Sequence, residues 1–427
     1  MSYIKEIDVN GILVLYYSPL ITNAPTILEH INSFKMYSQF ETWSINTELG
    51  FSKNLERLRF RIIVLHYSLF ALKYQLNNKF SNYLNNNKYA YKIAFFQDEY
   101  RYCQQRFNFI NEYRINCVYT SLEPDYFKDI YLKYTNTPKL VSNLPGYVSE
   151  ELIFQSGKLT IPIETRSIDI GYRARRLDYY MGRGAQEKHQ IGMEFKKRAK
   201  NYNLVLDIET EESKRIYGRS WYQFLANCRF ILGVEAGVSI FDIEDRVREE
   251  CAKKLSSKPG ITFEEISKMI LYKWEDNIYY RSISPRHFEA AASRVCQILF
   301  EGKYSGILKP MVHYIPLKKD FSNFDDVIKM LEDKKLCSEL IANAYRDLIA
   351  SDLYSYRKFI GDFDQELIKE GFRPGGIAQS QVEAVTAIIQ KGQWLRNIYG
   401  KIKVIRYKYI PGNNFVISYL KYLIERG

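Results

Sequence analysis

Short apolar runs alternate with amphipathic helical spans along most of this chain, and that rhythm constrains the fold more than any other feature. A strand, a helix and a second strand close one crossover, and repeating the unit builds a parallel sheet with helices on its faces. Ile12–Tyr17 opens the series and stops at Ser18-Pro19. Thr26–Tyr37 then sets Ile27, Ile31 and Phe34 on one helical face. Arg61–His66, Lys92–Phe96 and Cys117–Thr120 read as further strands, with a polar helix rich in Asn, Lys and Tyr after the first of them. Asn143-Leu144-Pro145-Gly146-Tyr147 is turn-rich, and Gly157–Glu164 contains Pro162, so a linker is expected there.

A second series begins at Ile168–Arg173, a strand that ends among arginines. It continues through helix Gln186–Ala199, strand Leu204–Ile208, helix Ser220–Asn227 and strand Phe230–Val234. Asp242–Leu271 reads as a helical insertion, and Val295–Phe300 as a short buried strand. After Asn323 the pattern is helical: Asp325–Leu331, Ser338–Ala350, Tyr354–Glu370 and, beyond Gly375-Gly376, Gln379–Ile389. A chain of 427 residues exceeds one ordinary core and divides into two such units plus the helical end.

The charged balance is 61 Lys and Arg against 49 Asp and Glu, a net +12 that favours phosphorylated small molecules, anionic membrane surfaces or nucleic acid as partners. Cys103, Cys117, Cys228, Cys251, Cys296 and Cys337 are scattered, with no Cys-x-x-Cys and no His at metal spacing. A reducing cytosol suits that usage, and neither a zinc site nor a disulfide framework is expected. Gly11–Ile21 is apolar but follows Glu6 and Asp8 and lacks a small-residue cleavage site, so it is not read as a signal peptide. No window reaches the ~18 apolar residues of a spanning helix. The tail from Trp394 to Tyr409 interleaves Lys and Arg with Trp, Tyr and Ile, which suits a peripheral contact with an anionic membrane or packing onto the first unit.

Chemistry-bearing residues gather at strand ends, where open parallel sheets bind ligands. In the first half these are His66, Gln97, Asp98, Glu99 and Glu123. Asp98, Glu99 or His66 could take a proton from an attacking hydroxyl, and adjacent acids on extended chain point opposite ways, so only one of Asp98 and Glu99 can face a cleft. In the second half Arg173 and Arg175 follow a strand, and Arg183 precedes Lys188 at a helix start. Either pair could hold an anionic group. Glu235 sits in a small-residue turn, Gly-Val-Glu-Ala-Gly, where it could reach a ligand or brace the turn.

The stretch Ile283–Asn323 carries the densest signal. Ser284 is placed to cap a helix, Pro285 fits its first position, and Ile283 can staple onto Phe288. Arg286, His287 and Glu289 occupy the first turn and a half, next to N–H groups that attract anions. Phe288-Glu289-Ala290-Ala291-Ala292 resembles the donor-binding element of GT-B glycosyltransferases, in which a Glu followed by small residues opens a helix and binds the donor ribose. Where that family often has a second Glu, eight residues upstream, this chain has Arg281.

The resemblance implies an α/β GT-B fold: two Rossmann-like domains facing a cleft, with a helical C-terminal extension. Residues 1–165 would form the acceptor domain, 166–350 the nucleotide-sugar domain and 351–427 the extension. It implies transfer of a sugar from a nucleotide-sugar to a glycan, lipid-linked or protein acceptor, in a bacterial surface-polysaccharide setting and at the cytoplasmic side. Glu289 would hold the ribose, the helix start at Ser284 with Arg286 would face the diphosphate together with Arg173 and Arg175 or with Arg183 and Lys188, and no resident cofactor or metal would be needed. Two rivals remain from composition and fold: a binding protein that has lost catalysis, and a basic nucleic-acid-binding protein, for which no recognised module is visible.

Overall fold

The computed structural model describes residues 6–19, 25–70, 74–391 and 398. Six strands form the first sheet: β1 (Ile7–Tyr16), β2 (Thr42–Asn46), β3 (Leu58–Leu65), β4 (Tyr91–Phe95), β5 (Cys117–Thr120) and β6 (Lys139–Ser142). All are parallel, in the order β2-β1-β3-β4-β5-β6. The chain then forms β7 (Ile168–Arg173), β8 (Leu206–Glu209) and β9 (Cys228–Gly233). A two-stranded antiparallel ribbon, β10 (Ala236–Val238) and β11 (Tyr280–Ser282), precedes β12 (Cys296–Phe300) and β13 (Ile315–Leu317). The second sheet is parallel, in the order β13-β12-β9-β7-β8.

Counted within each sheet, both follow the doubly wound order 2-1-3-4-5, and the first adds one strand. The order reverses between β1 and β3 in one sheet and between β7 and β9 in the other. At such a switch point the two flanking helices diverge and open a crevice at the carboxyl ends of the strands. The protein is thus α/β, with two Rossmann-like sheets facing a cleft and helices at the C-terminal side, as the sequence implied.

Both faces of each sheet are buried, which is why the strands read as continuous apolar runs. Ile12, Val14, Ile62, Val64, Ile93 and Phe95 pack one face of the first sheet against helix Pro25–Tyr37 and helix Tyr356–Lys369. Helices Phe324–Glu332 and Lys334–Tyr345 pack on the second sheet, and Tyr356–Lys369 then returns to the first. In Tyr356–Lys369, Phe359, Ile360 and Phe363 are buried, and Asp364 accepts from the Ser38 hydroxyl and the Gln39 N–H at 2.8 and 2.6 Å. Helix Gln379–Gln390 is tied back by the Trp43 indole donating to Thr386 at 3.0 Å and by Gln381 donating to the Asp8 carbonyl.

The expected helical insertion comprises Arg246–Ser257 and Phe263–Met269. It docks on the loop after β4: Asp242 N–H donates to the Tyr100 carbonyl, and Tyr102 N–H to the Asp245 carboxylate. Five strands carried no clear signal: β10 and β11 of the ribbon, three residues each, and the edges β2, β6 and β13. The edges have three to five residues: β2 alternates buried and exposed positions, β6 is nowhere fully buried, and β13 is only Ile315-Pro316-Leu317. An edge buries less and needs less apolar sequence. The anchor expected at Trp394–Tyr409 lies outside the described residues, apart from Ile398. No helix among the described residues is long and apolar enough to cross a membrane.

Candidate active site

A cleft of about 610 Å³ opens at the switch point of the second sheet, between the ends of β7 and β9, with the loop after β4 opposite. Each wall follows from the chain geometry. β7 ends at Arg173 and hands the cleft Ala174 and Arg175, and β9 hands it Gly233, Val234 and Glu235. Helix Arg183–Arg198 contributes Lys188 from its second turn, and helix Pro285–Ala292 points its N-terminus inward with Ser284, Arg286 and Glu289. That last helix is seated by Ile283 and Phe288, both buried in one cluster, and by the buried Ala290, Ala291 and Ala292. Ser284 has the extended backbone of a cap residue but makes no side-chain capping bond, so its hydroxyl is left to the cleft.

Glu289 accepts from the Trp221 indole at 2.6 Å. Burial pushes its carboxyl up, opposed by that hydrogen bond and by Arg286. Arg286 is exposed, stacks its guanidinium 5.1 Å from the Trp221 ring and donates to the Arg173 carbonyl. Lys188 lies between them and the loop after β4, and burial lowers its amine to about 8 while Asp98 opposes that shift. Arg175 is exposed on the same wall. Three cations and a helix N-terminus thus converge beside one carboxylate that is held by an indole. The arrangement can bind an anion of two or more charges next to a hydroxyl-rich group.

Other candidates are placed differently. Arg173 reaches the cleft wall, but its guanidinium is turned to β8, where it pairs with the Asp207 carboxylate at 2.8 Å, donates to two carbonyls and stacks on Phe224. Arg183 is not part of the cleft: its guanidinium lies 3.6 Å from Glu264 and its N–H donates to Glu275. His287 is buried between Gln297 and the Val234 carbonyl, and burial lowers it to about 4, so it is a neutral brace. Glu235 accepts from Tyr279 and from the N–H groups of Lys303 and Tyr304, which fixes the loop after β12 against the turn after β9.

Of the three candidate bases only Asp98 faces the cleft. Glu99 is fully buried and accepts from Thr120, Tyr131 and the Ser121 N–H, so it cannot meet a substrate. His66 is likewise buried, bonded to Ser68 at 2.8 Å and to His30 at 3.1 Å. The opposite orientation of adjacent acids holds, with Asp98 as the outward one, in the left-handed region at φ 52°. His313 is bonded to Asp347 and the Lys309 N–H, away from the cleft lining.

Sequence reasoning missed Arg215, Tyr217 and Trp221, which close the cleft from the loop after β8 and the helix that follows. The signal was present: they follow a strand end adjacent to the switch point, at Gly218-Arg219-Ser220-Trp221.

No family model and no curated protein matches the chain. Solved structures do match, loosely. An alpha-glucosyltransferase in complex with UDP and DNA aligns at 11% identity over 85% of this chain and 100% of its own, with a TM-score of 0.49. HepE from Anabaena, in complex with UDP and glucose, aligns at 10% over 86% and 99%, with a TM-score of 0.45. TarM aligns at 14% over 75% of this chain and only 56% of its own, with a TM-score of 0.39. Overlaps this loose carry no functional weight, and the reading of the cleft rests on its own residues.

Proposed function

We propose that the cleft binds a nucleotide-sugar and that the protein is a glycosyltransferase. The observation that carries this is the convergence of Arg175, Lys188, Arg286 and a helix N-terminus beside Glu289 within one cleft at a sheet switch point. A diphosphate leaving group develops charge as the glycosidic bond breaks, and fixed cations and N–H groups stabilise it. Glu289, oriented by Trp221, accepts from ribose hydroxyls, and the exposed Tyr217 at the cleft rim offers a ring face to the base. Asp98 lines the cleft across from these groups and would take the acceptor proton. Because the charge comes from side chains, transfer is expected to persist in EDTA. A surface-polysaccharide pathway is the proposed setting.

A thermal-shift panel of UDP, GDP, CMP, ADP and dTDP with their sugar conjugates tests the reading, and no stabilisation by any of them would sink it. For the donor so found, Glu289→Gln should weaken binding by roughly ten- to a hundredfold, since a hydrogen bond to a charged acceptor contributes ~1.5–3 kcal/mol. Unchanged affinity in a folded variant removes Glu289 from the site.

A further inference from the structure

Asp98 has little of its own to hold it. Its carboxylate makes no hydrogen bond among the described residues, and its ion-pair partner, Arg101, stands 3.9 Å away. The direction of the side chain is therefore set by the backbone, which turns at φ 52° into a region that few non-glycine residues occupy. Such a turn persists only where its surroundings fix it.

The loop after β4 belongs to the first sheet but is fastened by the second half of the chain. The Glu99 N–H donates to the Tyr280 hydroxyl at 3.2 Å, and that hydroxyl donates to the Glu99 carboxylate at 3.3 Å. One hydroxyl thus grips both the main chain and the side chain of the residue next to Asp98. Further along, the Asp242 N–H donates to the Tyr100 carbonyl at 2.9 Å, and the Tyr102 N–H donates to Asp245 at 2.6 Å. Tyr280 is buried, with its ring centroid 5.9 Å from that of Tyr100 and 5.4 Å from that of Phe241. Burial pushes its hydroxyl up, with Glu99 and Asp98 adding to the shift, so it stays protonated and able to donate.

The ribbon that carries Tyr280 starts at the wall of the cleft. β9 ends at Gly233, Val234 and Glu235 follow, and Ala236 begins β10. Val238 pairs with Tyr280 across the ribbon. Gly237, at φ 97°, lets the two strands close, because a Cβ there would collide with the Tyr280 carbonyl oxygen. A short, tight ribbon therefore joins the wall beyond β9 to the turn at Asp98, and the Tyr280 hydroxyl is the point of attachment.

We propose that Tyr280 is a positioning residue for the transfer: its hydroxyl holds the turn that presents Asp98 to the acceptor, and the ribbon sets Asp98 against the donor. The inference rests on the glycosyltransferase reading of the cleft. In that reaction the acceptor oxygen bonds to the anomeric carbon of the sugar. The bond from that carbon to the diphosphate breaks, its electron pair leaves on the nucleotide, and the acceptor proton goes to Asp98. Hydrolysis reads the same step with water as acceptor, through release of UDP from UDP-glucose, or of another nucleotide from its sugar conjugate if the thermal-shift panel selects one. Tyr280→Phe keeps the ring and removes the grip. It should lower kcat by roughly ten- to a hundredfold, the cost of a displaced reacting group, with KM for the conjugate and Kd for the nucleotide within about twofold. Asp98→Asn should lower kcat at least as far, and adding Tyr280→Phe to it should change the rate by less than about twofold more. Tyr83→Phe is the control, since its buried hydroxyl donates to the Leu58 carbonyl at 2.9 Å, and its kcat should stay within about twofold of wild type. Unchanged kcat in Tyr280→Phe, or a loss that multiplies with that of Asp98→Asn, overturns the proposal. So does rapid hydrogen exchange at the Glu99 amide of the wild type, which the grip should slow to the level of the β4 amides. If no nucleotide binds and no conjugate is hydrolysed, the glycosyltransferase reading falls, and exchange at the Glu99 amide in wild type and Tyr280→Phe decides whether the hydroxyl fixes the turn.

Discussion

The two sheets share a strand order and put their strand ends to opposite uses. In the second sheet the residues beyond β7 and β9 stand in the cleft, and the nearby cations are only partly neutralised. In the first, Asp98 faces the cleft but His66 beyond β3 and Glu99 beyond β4 turn inward: His66 meets His30 inside a cage of Phe34, Tyr67, Phe95, Tyr356 and Phe359. Glu99 is held by Thr120, Tyr131 and Ser121 and meets Tyr280 of the ribbon. A doubly wound sheet supplies a place for ligands, but burial decides whether the side chains there serve a substrate or the core.

The largest effect that would break this contrast concerns Glu99. Burial pushes its carboxyl up, while Arg106 and its hydrogen-bond donors act against that shift. Glu99→Ala leaves Tyr131, Thr120 and the Arg106 charge without their partner, and removing one member of a buried charged network costs ~3–5 kcal/mol. Urea unfolding should show that loss, with nucleotide affinity of the folded protein unchanged. If Glu99→Gln keeps full stability yet abolishes transfer, Glu99 belongs to the chemistry and the contrast fails.

Histidine titration gives the next largest effect. Burial lowers His30 to about 3 and His287 to about 4, and it lowers His66 as well, with His30 adding to the shift. These folded values lie below the unfolded ~6.5, so the neutral rings contribute stability that is complete above pH 6.5. As pH falls the unfolded chain takes up protons first, and each histidine costs roughly 2 kcal/mol by pH 5. Two of the three sit in the core of the first sheet, so protection of its amides from hydrogen exchange should decline before that of the second sheet. Simultaneous loss in both would show that the halves unfold as one unit.

Much of this arrangement was legible in the sequence, because strands buried on both faces are written as unbroken apolar runs. Cys117–Thr120 and Ile168–Arg173 fall where their composition puts them. The edges β2 and β6 were not legible, since half-exposed strands carry mixed sequence, and β13, though Ile315 and Leu317 are buried, is too short to show a pattern. At the site, the helix start at Ser284–Pro285 and the Glu289 position were readable from local pattern. The choice among the basic residues was not: Arg173 is neutralised by Asp207 and Arg183 faces Glu264, and neither pairing is encoded in local spacing. Nor does an Asp-Glu pair reveal which member is outward until the loop after β4 adopts its left-handed turn at Asp98.

Lys188 sharpens the contrast with a smaller effect. Burial lowers its amine to about 8, helped by Arg286 and Arg175. The charged form binds a diphosphate, so affinity for a nucleoside diphosphate should fall as pH rises through about 8, by roughly tenfold toward pH 9 and beyond. Lys188→Met should bind more weakly at pH 7 and lose that pH dependence. A nucleoside without phosphates should show neither change. An unaltered pH profile in Lys188→Met would place the diphosphate elsewhere in the cleft.

The smallest expected effect separates two arginines that looked alike in sequence. Arg183 starts its helix but is exposed on the far side, beside Glu264 and Ser267 of the insertion. Arg286 lies in the cleft over Trp221. An exposed ion pair contributes ~0–1 kcal/mol, so Arg183→Ala should change stability by less than that and nucleoside diphosphate affinity by less than about twofold. Arg286→Ala should weaken a nucleoside diphosphate about tenfold, and the nucleoside alone far less, because its partner is the phosphate. Titrating both variants with both ligands gives four numbers. Strong loss in Arg183→Ala would mean that the insertion swings to release Arg183 into the cleft when donor binds, and the contact with Glu264 would then be a latch. Equal loss of nucleoside and diphosphate in Arg286→Ala would instead assign Arg286 to positioning Trp221 against the base, and leave the diphosphate to Lys188, Arg175 and the helix N-terminus.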